Sequence, residues 1–301
     1  MIRITVRQME YFDALAQTLH FGRAAELAGV SQPALSSQIA EMEERLGCRL
    51  FERGGKSVRM TDEATALQPR IEKLLAEMRD IEQAARRERG AMEGRFRLGI
   101  IPTVAPYLLP RILPEIRARF PGLQLELREA VTATLIEETA GRRLDAFIAA
   151  NPLGAAGLAT ETLFSDRFFL AVPSGDPAFA APPVPPESPA LERLMLLEEG
   201  HCMRDQALAV CGSVQPVAMA SFGATSLTTL LQMVSHGLGV TLVPEMAADA
   251  AAAMPELKIL PFAEPMPERT ICLAWRKNGA RPDECRALAA IIREATGRLR
   301  H

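Results

Sequence analysis

Apolar residues Met9, Phe12, Leu15, Ala16 and Leu19 recur at helical spacing and predict a first helix. A second short helix fits residues 22–28, and Gly29 supplies the positive φ of a tight turn. Ser31 is a good N-cap, with Pro33 in the first turn where its missing N–H is harmless. Leu35, Ile39, Met42 and Leu46 then form one buried stripe on a third helix. Beyond Gly47, residues 50–61 read as two short strands around Gly54-Gly55.

Thr61 can cap a long helix, with Asp62 and Glu63 in its first turn. Along it Ala64, Leu67, Ile71, Leu74, Met78, Ile81 and Ala85 alternate spacings of three and four, a heptad stripe over about three heptads. A second copy of the same helix is the expected cover for this stripe, in preference to packing against its own domain.

From Arg95 the pattern alternates strand and helix. Strands fit residues 96–101, 123–127, 144–149, 167–172, 194–197, 239–243 and 269–275. Helices fit 106–119, 132–141 and the stretches after Cys202, Thr225 and Pro282. Such alternation indicates an α/β domain with largely parallel sheets. Residues 173–189 hold 7 Pro in 17 and read as a surface loop.

Composition narrows the class. Of 301 residues, 48 % are hydrophobic and 24 % charged, which excludes a disordered chain and a disulfide-dense mini-protein. The long uncharged stretch over residues 207–244 is broken by Gly and Pro and does not read as a membrane helix. With no signal-peptide core at the N-terminus, the chain reads as cytoplasmic and its five Cys as thiols. The net charge of −3 does not identify a nucleic-acid binder, but binding depends on local charge.

Two short helices, a glycine turn and a capped third helix make the helix-turn-helix plan. Gln32, Ser36, Ser37 and Gln38, with Pro33, form the candidate DNA-reading face, suited to base edges and phosphates. Arg53, Lys56 and Arg59 on the wing can reach phosphates. Residues 1–61 carry 8 Lys+Arg against 7 Asp+Glu, so charge alone leaves a plain packing module open; the order of elements favours DNA.

The run from Phe21 to Ser36, FGRAAELAGVSQPALS, resembles the DNA-binding signature of the LysR-type transcriptional regulators. The likeness continues through Ile39, Glu43, Leu46, Gly47, Leu50-Phe51, Arg53 and Thr61, with Thr65 where the family often has Gly. It implies two α/β subdomains joined by two crossing strands, near Asp166 and Pro265. The expected organisation is an all-α winged helix-turn-helix domain (1–61), a long linker and dimerisation helix (62–92), and an α/β regulatory domain of two Rossmann-like subdomains (93–301). Subdomain I takes residues 93–165 and 268–301, and subdomain II residues 166–267. Thr103, just after the first strand of this domain, lies where open α/β folds bind ligands, and it also suits a helix cap.

The segment LLEEGHCMRDQ, Leu196 to Gln206, carries the chemistry. A strand ends, Gly200 turns, and a helix begins near Cys202. A helix N-terminus and a neighbouring Arg204 both favour thiolate, the form that attacks peroxide. His201 can donate to a peroxide oxygen. Cys211, nine residues on, is a candidate resolving thiol; on one helix the two would stand roughly 13 Å apart. A disulfide needs Cα atoms within about 7 Å, so the bond would require local unfolding. Blander readings are a buried Cys211, a zinc site lacking a fourth ligand, and a Cys–His hydrolase whose adjacent residues point apart.

This segment, with Cys211, Ala224-Thr225-Ser226-Leu227, residues 239–244 and Arg269-Thr270-Ile271, resembles the peroxide-sensing members of the LysR family. Ile101-Pro102-Thr103-Val104, residues 106–110 and Glu129-Ala130 with Thr132 extend the likeness. It implies that Cys202 is peroxidatic and Cys211 resolving. Thr103, Thr132 and His201 would then place and polarise peroxide, and Arg204, Asp205 and Arg269 would tune the site. The stretch Val210-Cys211-Gly212-Ser213-Val214-Gln215-Pro216 departs from the family, which has an aromatic-flanked Cys and a longer loop. Cys48, Cys272 and Cys285 receive no role, with Cys272 expected in the core.

The resulting expectation is a DNA-binding regulator, not an enzyme, without cofactor or metal. Its partners are double-stranded promoter DNA, hydrogen peroxide, further copies of itself as a dimer of dimers, and RNA polymerase; no membrane is involved. The competing classes are a LysR-type regulator of a small organic ligand and a thiol peroxidase with an accessory DNA module.

Overall fold

The structure is a computed structural model that describes residues 3–54, 57–85, 92–179, 182–210 and 224–297. It divides into an N-terminal unit, to residue 89 with residues 141–143, and a C-terminal unit holding the rest.

In the first unit, α1 (Val6–Thr18) starts on a capping box of Thr5 and Gln8. His20 caps α2 (Phe21–Leu27), its Nδ1 accepting from the backbone N–H groups of Gly22 and Arg23. Gly29 turns at φ +65°, and Ser31 caps α3 (Gln32–Leu46). Phe12, Leu15, Leu35, Ile39, Met42 and Leu50 are fully buried between them. The Glu43 carboxylate accepts from Leu50 N at 2.7 Å and Phe51 N at 3.1 Å, which ties α3 to the wing. That wing is an antiparallel pair, β1 (Phe51–Gly54) and β2 (Ser57–Met60).

Thr61 caps α4 (Asp62–Ala85) through Ala64 N at 3.1 Å. Its apolar stripe divides. Ala64 and Ile71 are buried in the core of the helix-turn-helix unit with Leu67 packed beside them and off-stripe Leu75 buried there too, whereas Leu74 and Ile81 are 41 % and 57 % exposed. The expectation that the whole stripe faces a second copy is therefore corrected: its first half serves the chain's own core. Of the residues assigned to the linker, 86–91 lie outside the described residues, and Met92 is buried in a core of the second unit.

The second unit is α/β, with one seven-stranded sheet. Its strands are β3 (Gly94–Ile100), β4 (Leu123–Glu129), β5 (Ala146–Ala150), β6 (Leu158–Pro173), β7 (Thr241–Pro244), β8 (Leu257–Pro261) and β9 (Glu268–Arg276). The order is β4-β3-β5-β9-β6-β7, with β8 also paired to β6. Among the strands of the described residues only β4-β3-β5 pair in parallel; every strand pair involving β6 or β9 is antiparallel. The expected parallel sheet is thus mixed, because the two long strands run back against their neighbours.

Strand β6 pairs with β9 from Leu158 to Arg167, then with β7 and β8 from Phe168 onward. Two hydrophobic cores lie on either side of this change. One gathers β3, β5 and β9 with α5 (Ala105–Arg119) and α10 (Pro282–Gly297). The other gathers the end of β6 with α7 (Cys202–Val210), α8 (Leu227–Ser235) and α9 (Glu245–Ala252). The remaining helix, α6 (Thr132–Ala140), packs Leu135 into the first core.

Two local expectations change. Residues 194–197 form isolated bridges to Val240 and Ala224 instead of a continuous strand. The proline-rich segment carries short 3-10 turns at Pro177–Phe179 and Pro189–Arg193, and Val184 is buried, bonded through its backbone to Pro261 and Ala263. Proline lacks the N–H for a ladder but suits such turns.

Candidate functional site

The first turns of α3 leave Gln32, Pro33 and Ser37 exposed and Ser36 half-buried. Gln38 turns back to α1: its Oε1 accepts from Gln8 Nε2 at 3.3 Å, and its Nε2 donates to Glu41 at 3.0 Å. Arg59 is exposed on β2 and Arg53 lies on β1 in register with Val58. Lys56 lies outside the described residues.

In the C-terminal unit a turn of the chain delivers Cys202. Gly200 takes φ +92°, Arg204 N donates to His201 O at 2.9 Å, and α7 opens at Cys202. The helix lies across both cores: Met203 and Ala207 are buried in the second, whereas half-buried Cys202 packs against the first. His201 is buried, and burial pulls its pKa below 6.5 against the opposing charge of Glu198. The Arg204 guanidinium donates to Leu197 O at 3.1 Å and so holds the turn together. Asp205 is exposed in the first turn.

The Gly200 turn lies against Val131, the residue before Thr132. Thr132 opens α6, and its buried Oγ1 has no hydrogen-bond partner among the described residues. Gln206 Oε1, one turn after Cys202 on α7, is in the same condition. A buried polar atom without a partner invites a ligand or water.

Thr103 and Arg269 are brought together directly. Both are buried; Arg269 Nη1 donates to Thr103 Oγ1 at 2.9 Å and Nη2 to Thr103 O at 3.2 Å. The helix-cap role for Thr103 is not taken up: Val104 stands at the start of α5 without a side-chain cap. Arg269 also pairs with buried Asp166 at 2.8 Å and lies over the Phe168 ring, 5.6 Å from its centroid. On α5, Tyr107 packs against the second core and hydrogen-bonds the Thr228 side chain. Burial raises its pKa, opposed by that bond and by the Arg269 charge. Cys211 lies outside the described residues.

The chain's relatives fit this layout. The family description "Bacterial regulatory helix-turn-helix protein, lysR family" matches residues 6–65, and "LysR substrate binding domain" matches residues 89–297. The chain belongs to the LysR family of transcriptional regulators. A Streptomyces viridosporus protein named "Probable hydrogen peroxide-inducible genes activator" is 39 % identical over 97 % of this chain and 94 % of its own. The "DNA-binding transcriptional dual regulator OxyR" of Escherichia coli is 36 % identical over 96 % and 95 %. A full-length OxyR variant from Pseudomonas aeruginosa superposes with a TM-score of 0.77 at 33 % identity, covering 97 % of this chain and 96 % of that one. A cysteine-to-serine variant of Corynebacterium glutamicum OxyR, solved with hydrogen peroxide bound, gives 0.68 at 31 %, covering 99 % and 94 %.

For this LysR-family regulator, sequence reasoning placed Asp166 only near a strand crossing and missed its pairing with Arg269. The one available signal was a lone carboxylate just ahead of the apolar run Phe168 to Val172. Cys272 is buried, its thiol facing Ala149 O at 3.5 Å and Asn151 Oδ1 at 3.3 Å, and burial pushes its pKa up to about 11. Burial and the charge of Asp145 push Cys285 up to about 12. Cys48 packs at the edge of the helix-turn-helix core. Among the described residues no group of three or more metal-ligating side chains occurs, and no helix is long and apolar enough to cross a membrane.

Proposed function

We propose that this regulator senses hydrogen peroxide through Cys202 and converts its oxidation into altered contacts with promoter DNA. The supporting observation is the Gly200 turn that leads into Cys202: it lies against Val131, the residue before Thr132, whose buried hydroxyl has no partner among the described residues. The names of the relatives point the same way.

In the proposed reaction the Cys202 thiolate attacks one peroxide oxygen. An S–O bond forms, the O–O bond breaks, and the leaving hydroxide takes a proton to become water. Thr132 and neutral His201 hold the incoming peroxide. The Thr103 oxygen accepts from Arg269, so its own hydrogen remains to donate to the leaving oxygen. Arg204 and Asp205 shape the turn and the first turn of α7. The Cys211 thiol then attacks the sulfenic sulfur: an S–S bond forms, the S–O bond breaks, and water leaves.

Helix α7 runs to Val210, immediately before Cys211. Eight helical steps span about 12 Å, beyond the reach of a disulfide, so closure unwinds the helix. That unwinding is the switch. Residues 1–61 bind double-stranded DNA through Gln32, Pro33, Ser36, Ser37, Arg53, Lys56 and Arg59, with Gln38 bracing α3. The linker, residues 62–92, dimerises through exposed Leu74 and Ile81, and the regulatory domain from residue 93 builds a dimer of dimers that meets RNA polymerase.

The test is treatment with substoichiometric peroxide followed by cysteine mapping by mass spectrometry. A Cys202–Cys211 disulfide that forms rapidly, is reversed by dithiol and is absent from Cys202→Ser supports the reading. Promoter binding by Cys202→Ser that still responds to peroxide overturns it.

A further inference from the structure

Asp166 sits on β6 directly opposite Arg269 of β9, two residues before β6 takes up β7 at Phe168. It is 2 % exposed, and its two oxygens have different duties. Oδ2 accepts from Arg269 Nε at 3.0 Å and Nη2 at 2.8 Å. Oδ1 accepts from Met246 N at 3.1 Å, in the first turn of α9. Pro244 precedes that helix without a side-chain cap, so Asp166 supplies the cap from a neighbouring strand.

A guanidinium only donates. Arg269 spends Nε and part of Nη2 on Asp166, which turns Nη1 and the rest of Nη2 onto Thr103. Facing a donor, the Thr103 oxygen must accept there, and its hydrogen is directed elsewhere. The Phe168 ring closes one face of the guanidinium. The orientation of the Thr103 hydroxyl is thus set two bonds away, by a carboxylate anchored to α9.

We propose that Asp166 is a positioning residue for peroxide reduction at Cys202, holding Arg269 and through it the Thr103 hydroxyl as a donor. This rests on the peroxide reading above. Asp166→Asn offers an oxygen to Met246 N but turns an NH2 group toward Arg269, so the cap survives and the pair is lost.

The test compares two rates at Cys202 in the full chain, each read by mass spectrometry of its peptide: oxidation by hydrogen peroxide, and alkylation by iodoacetamide, which uses neither Thr103 nor Arg269. In Asp166→Asn the peroxide rate falls roughly 10- to 100-fold, as for a misplaced reacting group, with alkylation unchanged. In a Thr103→Val background, Asp166→Asn adds no further loss. An unchanged peroxide rate, a parallel fall in both rates, or additive losses in the double variant overturn the inference. If Asp166→Asn does not fold, Asp166→Glu keeps the charge and shifts the carboxylate by one methylene. A folded Glu variant with slowed peroxide oxidation and normal alkylation supports the role; parent-like rates for both overturn it. A parent Cys202 no faster with peroxide than free cysteine overturns the peroxide reading itself.

Discussion

Gly200, held at φ +92°, lies against Val131: a methyl group added to the glycine would sit 3.8 Å from the valine Cγ2. The distance is ordinary van der Waals contact, so space is not what selects glycine here. The backbone conformation is. Gly200→Ala is expected to lower unfolding free energy by about 1–2 kcal/mol, the penalty for an L-residue in left-handed backbone. Urea denaturation of both chains measures it, and a stability equal to the parent's refutes the strain argument.

Thr132 should respond in the opposite sense. Its buried hydroxyl oxygen has no partner among the described residues, so Thr132→Val removes an unmet polar group. Stability is expected to rise by up to about 1 kcal/mol. Oxidation of Cys202 is expected to slow roughly tenfold, the rate equivalent of about 1.4 kcal/mol lost from the transition state. A melting curve and a peroxide-oxidation time course on one preparation check both halves. A variant less stable than the parent would show that Thr132 contributes a native hydrogen bond instead.

The pH dependence of stability follows from His201. Burial lowers its folded pKa below the unfolded value of 6.5. Below pH 6.5 the unfolded chain binds a proton that the folded chain refuses, so acid favours unfolding. The contribution is fully present above pH 6.5 and fades as pH falls toward the folded pKa. Urea midpoints between pH 8 and pH 5 should decline less in His201→Gln than in the parent. Equal declines would exclude His201 as the source.

The divided stripe of α4 separates folding from association. Leu74→Glu and Ile81→Glu act on exposed side chains and are expected to weaken dimerisation while leaving the helix-turn-helix unit folded. Ile71→Glu places a charge in the core and is expected to unfold that unit. Sedimentation velocity with circular dichroism distinguishes the two. Unfolding by Leu74→Glu, or unchanged association by both surface variants, counts against this division.

The helix-turn-helix was legible because its information is local: a stripe, a glycine turn and a serine cap all lie within one short segment. The Gly200 turn and the start of α7 at Cys202 were legible for the same reason. What escaped was pairing at a distance. Asp166 and Arg269 are 103 residues apart, and nothing in either neighbourhood names the other. The first half of β6 carries Thr160, Glu161 and Thr162 and is partly exposed, so it lacks the apolar run that marks a buried strand. Helix α9 and β8 were missed likewise, the helix being short and alanine-rich and the strand half-exposed. The α4 stripe shows the converse limit: periodicity finds the face that is buried, but not which partner buries it.

Cys272 and Cys285 give the fold a further property. With pKa values pushed up to about 11 and about 12, both remain protonated at neutral pH. For Cys272 only roughly one molecule in ten thousand carries the reactive anion at pH 7. Any detector is limited by its background, and spare sulfur is the natural background of one built on a thiol. Burying these two sulfurs keeps that noise low, so in the proposed sensor the fidelity of the signal depends as much on the chemistry that burial silences as on the chemistry that the Cys202 turn permits.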